Sequence, residues 1–203
     1  MSDRRDSHDT LLGVAFEITE MDVQQTAIDG LVVVTLKQVS DDRGTVREFF
    51  RASAYRDGPF AGLGDWQQIN VTETKQGAVR GLHGEAMIKL VSCVSGESYG
   101  VYLDARRESP TFGAIVSVPL KPGTQVLVPA GVCNAFQSLS EQGTQYVYCF
   151  TDEWRPGMAG IAFTPLDEGL GVEWPIAIDV EDGSQISAKD AGAPKFSEWK
   201  TAG

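Results

Sequence analysis

A chain of 203 residues with 42% hydrophobic and 22% charged side chains has the balance of one globular domain with terminal extensions, not of two independent cores. Its formal net charge of −11 repels phosphate backbones and anionic lipid, which argues against nucleic acid and membranes as partners. An anionic ligand would need a local cluster of Arg and Lys. No apolar run reaches membrane-spanning length, and the charged, polar Met1–Thr10 stretch is the opposite of a signal peptide, so a cytoplasmic protein is expected.

Residues 1–15 read as a flexible tail, ahead of a single domain over 16–203. Leu31 to Leu36 (LVVVTL) is a β-branched run, followed by a turn at Asp41-Asp42-Arg43-Gly44. Val46 to Phe50 and Trp66 to Thr72 read as further strands. Met87 to Val94 leads into Ser95-Gly96, and Ser98 to Leu103 follows at hairpin distance. Ala114 to Leu120, Gln125 to Val128 and Gln145 to Phe150 complete the series, with Lys121-Pro122-Gly123 and Pro129-Ala130-Gly131 as punctuation. Short strands at regular spacing, with Gly and Pro between them, predict a mainly β, jelly-roll barrel. Beyond Gly157 the pattern weakens. From about residue 170 a short helical or irregular segment is expected to pack on the barrel.

Three cysteines, Cys93, Cys133 and Cys149, cannot all pair with one another, and their spacing is not that of a zinc site. Buried thiols in a reducing compartment are the expectation. There are two histidines, and His8 lies in the polar tail. On a strand, His83 and Glu85 would share a face. Two such ligands do not make a tight site, so no metal is expected.

Arg80-Gly81-Leu82-His83 is the most specific string, and it has ordered company. Upstream stand Asp41-Asp42-Arg43-Gly44-Thr45-Val46-Arg47-Glu48 and Gln68-Ile69-Asn70. Downstream stand Asp104-Ala105-Arg106-Arg107-Glu108-Ser109-Pro110-Thr111-Phe112-Gly113, Val128-Pro129-Ala130-Gly131, Trp174-Pro175 and Ser187-Ala188-Lys189-Asp190. In that order and spacing the set resembles the dTDP-4-dehydrorhamnose 3,5-epimerase family over most of the chain. The resemblance implies a cupin-like barrel, a homodimer, no metal or organic cofactor, and a nucleotide-linked 4-keto-6-deoxyhexose as substrate. It also implies roles: His83 as base, Asp190 as the carboxylate paired with it, and Lys89 near the developing enolate oxygen. Arg43, Glu48, Gln68, Asn70 and Arg80 match positions that hold the nucleotide and its phosphates.

The residue types suit that chemistry. Removing a proton beside a ketone needs a base titrating near neutrality and a fixed donor at the oxygen. An imidazole meets the first need, and a carboxylate on its other nitrogen fixes the tautomer. Lys89 shares strand parity with Val91 and Cys93, which fits a side chain aimed into the barrel or a lysine snorkelling from a sheet edge, and the resemblance favours the first.

Several positions depart from the family pattern. With Pro156 aligned to the family's Tyr-x-Pro element, Trp154 stands where the acid tyrosine is expected, and an indole N–H gives up no proton near neutral pH. Reprotonation would then fall to water or to a tyrosine such as Tyr146 or Tyr148. Asn134 stands in place of a second histidine, Gly100 in place of an aspartate, and Gly84-Glu85 in place of Tyr-Gln. These changes surround the inferred sugar pocket, with Asn134 and Trp154 among its binding residues. The expected activity is inversion at C3, C5 or both in deoxysugar biosynthesis. A keto-sugar isomerase using the same enolate chemistry and a non-catalytic nucleotide-sugar-binding homologue are the alternatives.

Overall fold

Successive side chains of a strand point to opposite faces, so a chain of short apolar strands can bury both faces of a sheet only in layers. The computed structural model describes residues 9–11 and 14–201 of this chain. His8 and most of the tail expected to be flexible lie outside the described residues. Within that tail, β1 (Asp9–Leu11) pairs with the start of β2 (Val14–Thr19).

The strands that follow are β3 (Asp22–Gln25), β4 (Val32–Thr35), β5 (Gln38–Asp41), β6 (Gly44–Arg47), β7 (Gln68–Thr74), β8 (Val79–Glu85) and β9 (Lys89–Ser95). Then come β10 (Ser98–Asp104), β11 (Ile115–Leu120), β12 (Thr124–Val128), β13 (Val132–Ser138), β14 (Thr144–Phe150) and β15 (Gly160–Ala162). Two short helices, α1 (Ala188–Ala191) and α2 (Phe196–Thr201), end the described chain. All pairings are antiparallel. They give a six-stranded sheet in the order β3-β4-β12-β9-β14-β7, a five-stranded sheet β11-β10-β13-β8-β15, and a small sheet β1-β2-β5-β6. The jelly-roll reading holds.

Three apolar layers follow from the strand parity. Between the two large sheets, Val91, Val126, Val128 and Tyr146 of one meet Tyr102, Val118, Leu120 and Phe136 of the other. The Phe136 and Tyr146 rings stack across this gap with centroids 3.9 Å apart. On the outer face of the six-stranded sheet, Leu90, Leu127, Val147 and Cys149 are covered by Tyr55, Phe60 and Leu63 from the loop after β6. On the outer face of the five-stranded sheet, Leu82, Val101, Leu103 and Ala135 are covered by Phe163, Leu170 and Phe196. The C-terminal segment therefore packs on the barrel and is carried to the open end of the inner layer.

The structure corrects three local expectations. Ser95-Gly96 does not close a hairpin: β9 pairs with β12 and β14, while β10 pairs with β11 and β13 in the opposite sheet. Both strands are buried along most of their length, so each needs neighbours on both sides, and a jelly roll supplies them by crossing between sheets. The strand expected over Val46 to Phe50 is displaced to Gly44–Arg47, as the partner of β5. Past Gly157 there is one more strand, β15, on the edge beside β8.

Candidate active site

The site begins with an irregularity in β8. His83 is opposite Asn134, but Arg80 is opposite Phe136, so three steps on β8 span two on β13. Such a bulge lets Arg80 and His83, an odd number of residues apart, both face the inner cavity. Gly81 makes it possible. Its φ is +117°, and a Cβ there would lie 2.5 Å from the Asn134 carbonyl oxygen and 2.6 Å from the Ala135 Cα.

The cavity has a volume of about 680 Å³, within the range of small-ligand sites. One wall is the five-stranded sheet, through Arg80, His83, Glu85 and Asn134. The facing wall is the six-stranded sheet, through Asn70, Lys89, Tyr146 and Tyr148. The third is the returning segment from Gly183 to Asp190.

That segment delivers a carboxylate to the imidazole. His83 Nε2 lies 2.7 Å from Asp190 Oδ1, across 107 residues of sequence. Ser187 fixes the approach as the N-cap of α1, its hydroxyl accepting from the Asp190 N–H at 3.1 Å. Burial alone would raise the Asp190 pKa. Hydrogen bonding and charge from His83, with help from Ser187 and the Gly81 backbone, outweigh it and hold the carboxyl below its ordinary value. With an ionised carboxylate on Nε2, that nitrogen keeps its hydrogen and Nδ1 carries the lone pair.

Lys89 is 3% exposed, and its Nζ crosses from β9 to the opposite wall. It donates to the His83 carbonyl oxygen at 3.0 Å, to the Glu85 carboxylate and to Asn134 Oδ1. The two tyrosines differ. Tyr146 is fully buried under Phe136, and burial holds its hydroxyl well above the ordinary value. Tyr148 accepts a hydrogen bond from Thr72 Oγ1 at 3.0 Å, which leaves its own phenolic hydrogen free to donate. Trp154 lines the same cavity and is 48% exposed, with its backbone N–H held by Gln68 Oε1 at 2.7 Å. Gln68 in turn donates to Asn70 Oδ1 at 3.1 Å.

Eight of the ten residues singled out from the sequence thus gather at the cavity or against it. Arg43 and Glu48 do not. Arg43 is paired with Asp41 and Glu48 with Arg51, on the exposed side of β5, β6 and the loop after them. A Cβ at Gly100 would lie 3.0 Å from both the Tyr102 hydroxyl and Leu120, so a larger side chain there requires these side chains to shift. The sequence reading passed over Arg155 and Lys189, which add positive charge to the cavity lining. Isolated cations carry no signal of their own; their one clue is adjacency to Trp154 and Asp190.

The three cysteines are buried and free. Burial pushes the Cys133 thiol up to about 12 and the other two to about 11, which keeps them protonated and inert. Among the described residues no three His, Cys, Asp or Glu side chains converge as metal ligands, and no helix is long and apolar enough to cross a membrane.

The chain is similar to known proteins over most of its length. The family model for dTDP-4-dehydrorhamnose 3,5-epimerase matches residues 25–198. A dTDP-4-dehydrorhamnose 3,5-epimerase from Salmonella typhimurium is 34% identical over 180 residues, covering 86% of this chain and 94% of that protein. A dTDP-4-dehydro-6-deoxyglucose 3-epimerase from Streptomyces bikiniensis is also 34% identical, over 81% of this chain and 83% of its own. Among solved structures, a dTDP-6-deoxy-D-glucose-3,5-epimerase from Legionella pneumophila in complex with dTDP-4-keto-L-rhamnose superposes with a TM-score of 0.77. It is 32% identical and covers 87% of this chain and 93% of that one.

Proposed function

Because the chain belongs to the dTDP-4-dehydrorhamnose 3,5-epimerase family, we propose that it epimerises a dTDP-linked 4-keto-6-deoxyhexose at C3, C5 or both. The observation that carries this reading is the His83–Asp190 pair at 2.7 Å, facing Lys89 and Tyr148 across one cavity.

The steps follow from the two walls. His83 takes the proton from the carbon beside the ketone, and the C–H electrons move into an enolate. Asp190 stabilises the imidazolium that results. Lys89 donates to the enolate oxygen, where charge develops in the transition state. Tyr148, from the sheet opposite His83, returns a proton to the far face of that carbon and inverts it. Tyr146, buried under Phe136 with its hydroxyl held well above the ordinary value, is the weaker donor. Trp154 then has a different use: a half-exposed indole at the cavity offers a stacking face for the nucleobase. Gln68, which holds the Trp154 backbone, and Asn70 flank that end, and Arg80, with Arg155, supplies positive charge for the diphosphate. No step calls on a cofactor.

On this reading residues 16–203 act as one catalytic domain in the cytoplasm, and two copies form a homodimer. Ile69 and Val71 are 60% and 63% exposed on the outer face of the edge strand β7, and Val46 on β6 is 74% exposed, which suits a covered surface. A second copy would also give Arg43 and Glu48 a cavity to serve.

The test is proton NMR of dTDP-4-keto-6-deoxyglucose incubated with the protein in deuterated water, beside His83→Ala. Deuterium should enter at C3 or C5 and be absent with the variant. A bound ligand that exchanges no proton would overturn the reading.

A further inference from the structure

Glu85 is unassigned by the mechanism so far, yet it stands at its centre. It shares the inner face of β8 with His83, two residues away, and its side chain is only 18% exposed. One carboxylate oxygen, Oε2, accepts from Lys89. The other, Oε1, takes no hydrogen bond from the described residues, and Glu85 lines the cavity. A carboxylate has about four acceptor positions, so Oε1 keeps its accepting capacity for a donor that enters the cavity.

The ammonium beside it is in the opposite condition. Lys89 has three donors, and all three are used, on the His83 carbonyl, Glu85 and Asn134. A ketone oxygen reaching Lys89 must displace one acceptor. The His83 carbonyl is held in the β8 backbone. The Glu85 bond joins two opposite charges, so the neutral Asn134 amide is the weaker partner and the one that yields. The ketone then shares Lys89 with Glu85. A hydroxyl on a carbon beside the ketone can then meet the free oxygen of the same carboxylate.

We propose that Glu85 is a specificity-determining residue: the Lys89–Glu85 pair forms a donor–acceptor edge that reads an α-hydroxyketone. Lys89 donates to the C4 ketone, and Glu85 Oε1 accepts from the C3 hydroxyl. The substrate class is a 4-keto-6-deoxyhexose that keeps its C3 hydroxyl, and 3-deoxy analogues are disfavoured because they displace water from Glu85 Oε1 without returning a hydrogen bond. This rests on the reading above that Lys89 faces the ketone.

The test compares dTDP-4-keto-6-deoxyglucose with its 3-deoxy analogue. The readout is kcat/KM for deuterium incorporation at either carbon beside the ketone, since both compounds carry exchangeable protons there. The wild-type protein should prefer the hydroxylated substrate by on the order of 100-fold. Glu85→Ala should bring the two within about 5-fold of each other, and Glu85→Gln, which keeps a neutral acceptor, should fall between, at about 10-fold. If Glu85→Ala does not fold, Glu85→Gln carries the comparison. A wild-type ratio near unity, or a ratio unmoved by both substitutions, overturns the assignment of Glu85 and leaves the epimerase reading intact. A wild-type protein that exchanges neither compound overturns the epimerase reading, and the assignment with it.

Discussion

Asp104 and Asp190 are both buried aspartates tied to the same five-stranded sheet, and they are built for opposite ends. Asp104 is saturated by its immediate neighbours. It accepts from the Arg106 backbone at 3.1 Å, from the Arg106 guanidinium at 2.8 Å twice, and from the hydroxyls of Ser109 and Thr111 at 2.5 and 2.7 Å. Asp190 is held by His83, a residue it meets only when the chain returns from 107 positions away. The first carboxylate has nothing left to offer a ligand. The second is joined to a group that can gain and lose a proton beside a cavity. Burial of an acid is therefore no sign of chemistry; the partner it is given decides.

The largest expected effect separates the two. Asp190→Asn should lower kcat by about 10³- to 10⁴-fold, because the amide cannot stabilise an imidazolium and favours the wrong tautomer. Its melting temperature should stay close to wild type. A loss below 10-fold would show that His83 works without its carboxylate. Asp104→Ala should do the reverse. It leaves Arg106 partly buried without its counter-charge and frees the loop after β10, at a cost of about 3–5 kcal/mol. Urea denaturation measures this, and kcat per folded molecule should be unchanged. A stable, inactive variant would overturn the division between them.

This contrast also explains what the sequence could and could not tell. Ser109 and Thr111 belong to a string that marks the family, yet the structure gives them to the scaffold, as donors to Asp104. Lys89 was half legible from parity, since register with Val91 and Cys93 fits the barrel interior and a snorkelling edge lysine alike, and the resemblance decided for the interior, where it lines the cavity. Asp190 was legible only through resemblance. Nothing local distinguishes it from a solvated carboxylate, and its burial depends on packing of the whole C-terminal segment. β8 and β13 were hidden for different reasons. β8 carries Gly81 and Gly84, which weaken any strand pattern, and β13 is buried almost throughout and so lacks alternation. The Ser95-Gly96 hairpin failed because hairpin spacing is a local signal, while strand partners in a jelly roll are chosen across the barrel.

The facing walls can be parted in the same way. Tyr148→Phe keeps the ring and the packing but removes the hydroxyl that Thr72 holds in place. His83 would still remove the proton. Deuterium should continue to enter the carbon beside the ketone, while the inverted product forms about 100-fold more slowly. NMR resolves the two products in one sample. Equal loss of exchange and inversion would place Tyr148 on the binding side, and no loss of either would leave the returned proton to water.

The smallest effect sharpens the comparison of the two aspartates through pH. Burial is the largest influence on each and acts to raise its pKa. At Asp104 the hydrogen bonds from Arg106, Ser109 and Thr111 reverse this decisively, holding it well below the usual carboxylate range; at Asp190 the reversal is a lesser one. A carboxyl whose folded pKa is depressed adds stability that is fully present above its unfolded pKa, about 3.9, and is lost as pH falls through the folded value. The melting temperature should therefore be level as far as these two groups are concerned from pH 7 to about 5, and fall below about 4. Asp104→Asn lowers the plateau and flattens the acid limb, because the variant has no proton to take up at that site. Asp190→Asn flattens it less. Thermal melts from pH 7 to 2 measure all three proteins. If the Asp104→Asn limb kept the wild-type slope, the carboxyl at that site would carry no share of acid stability, however many donors surround it.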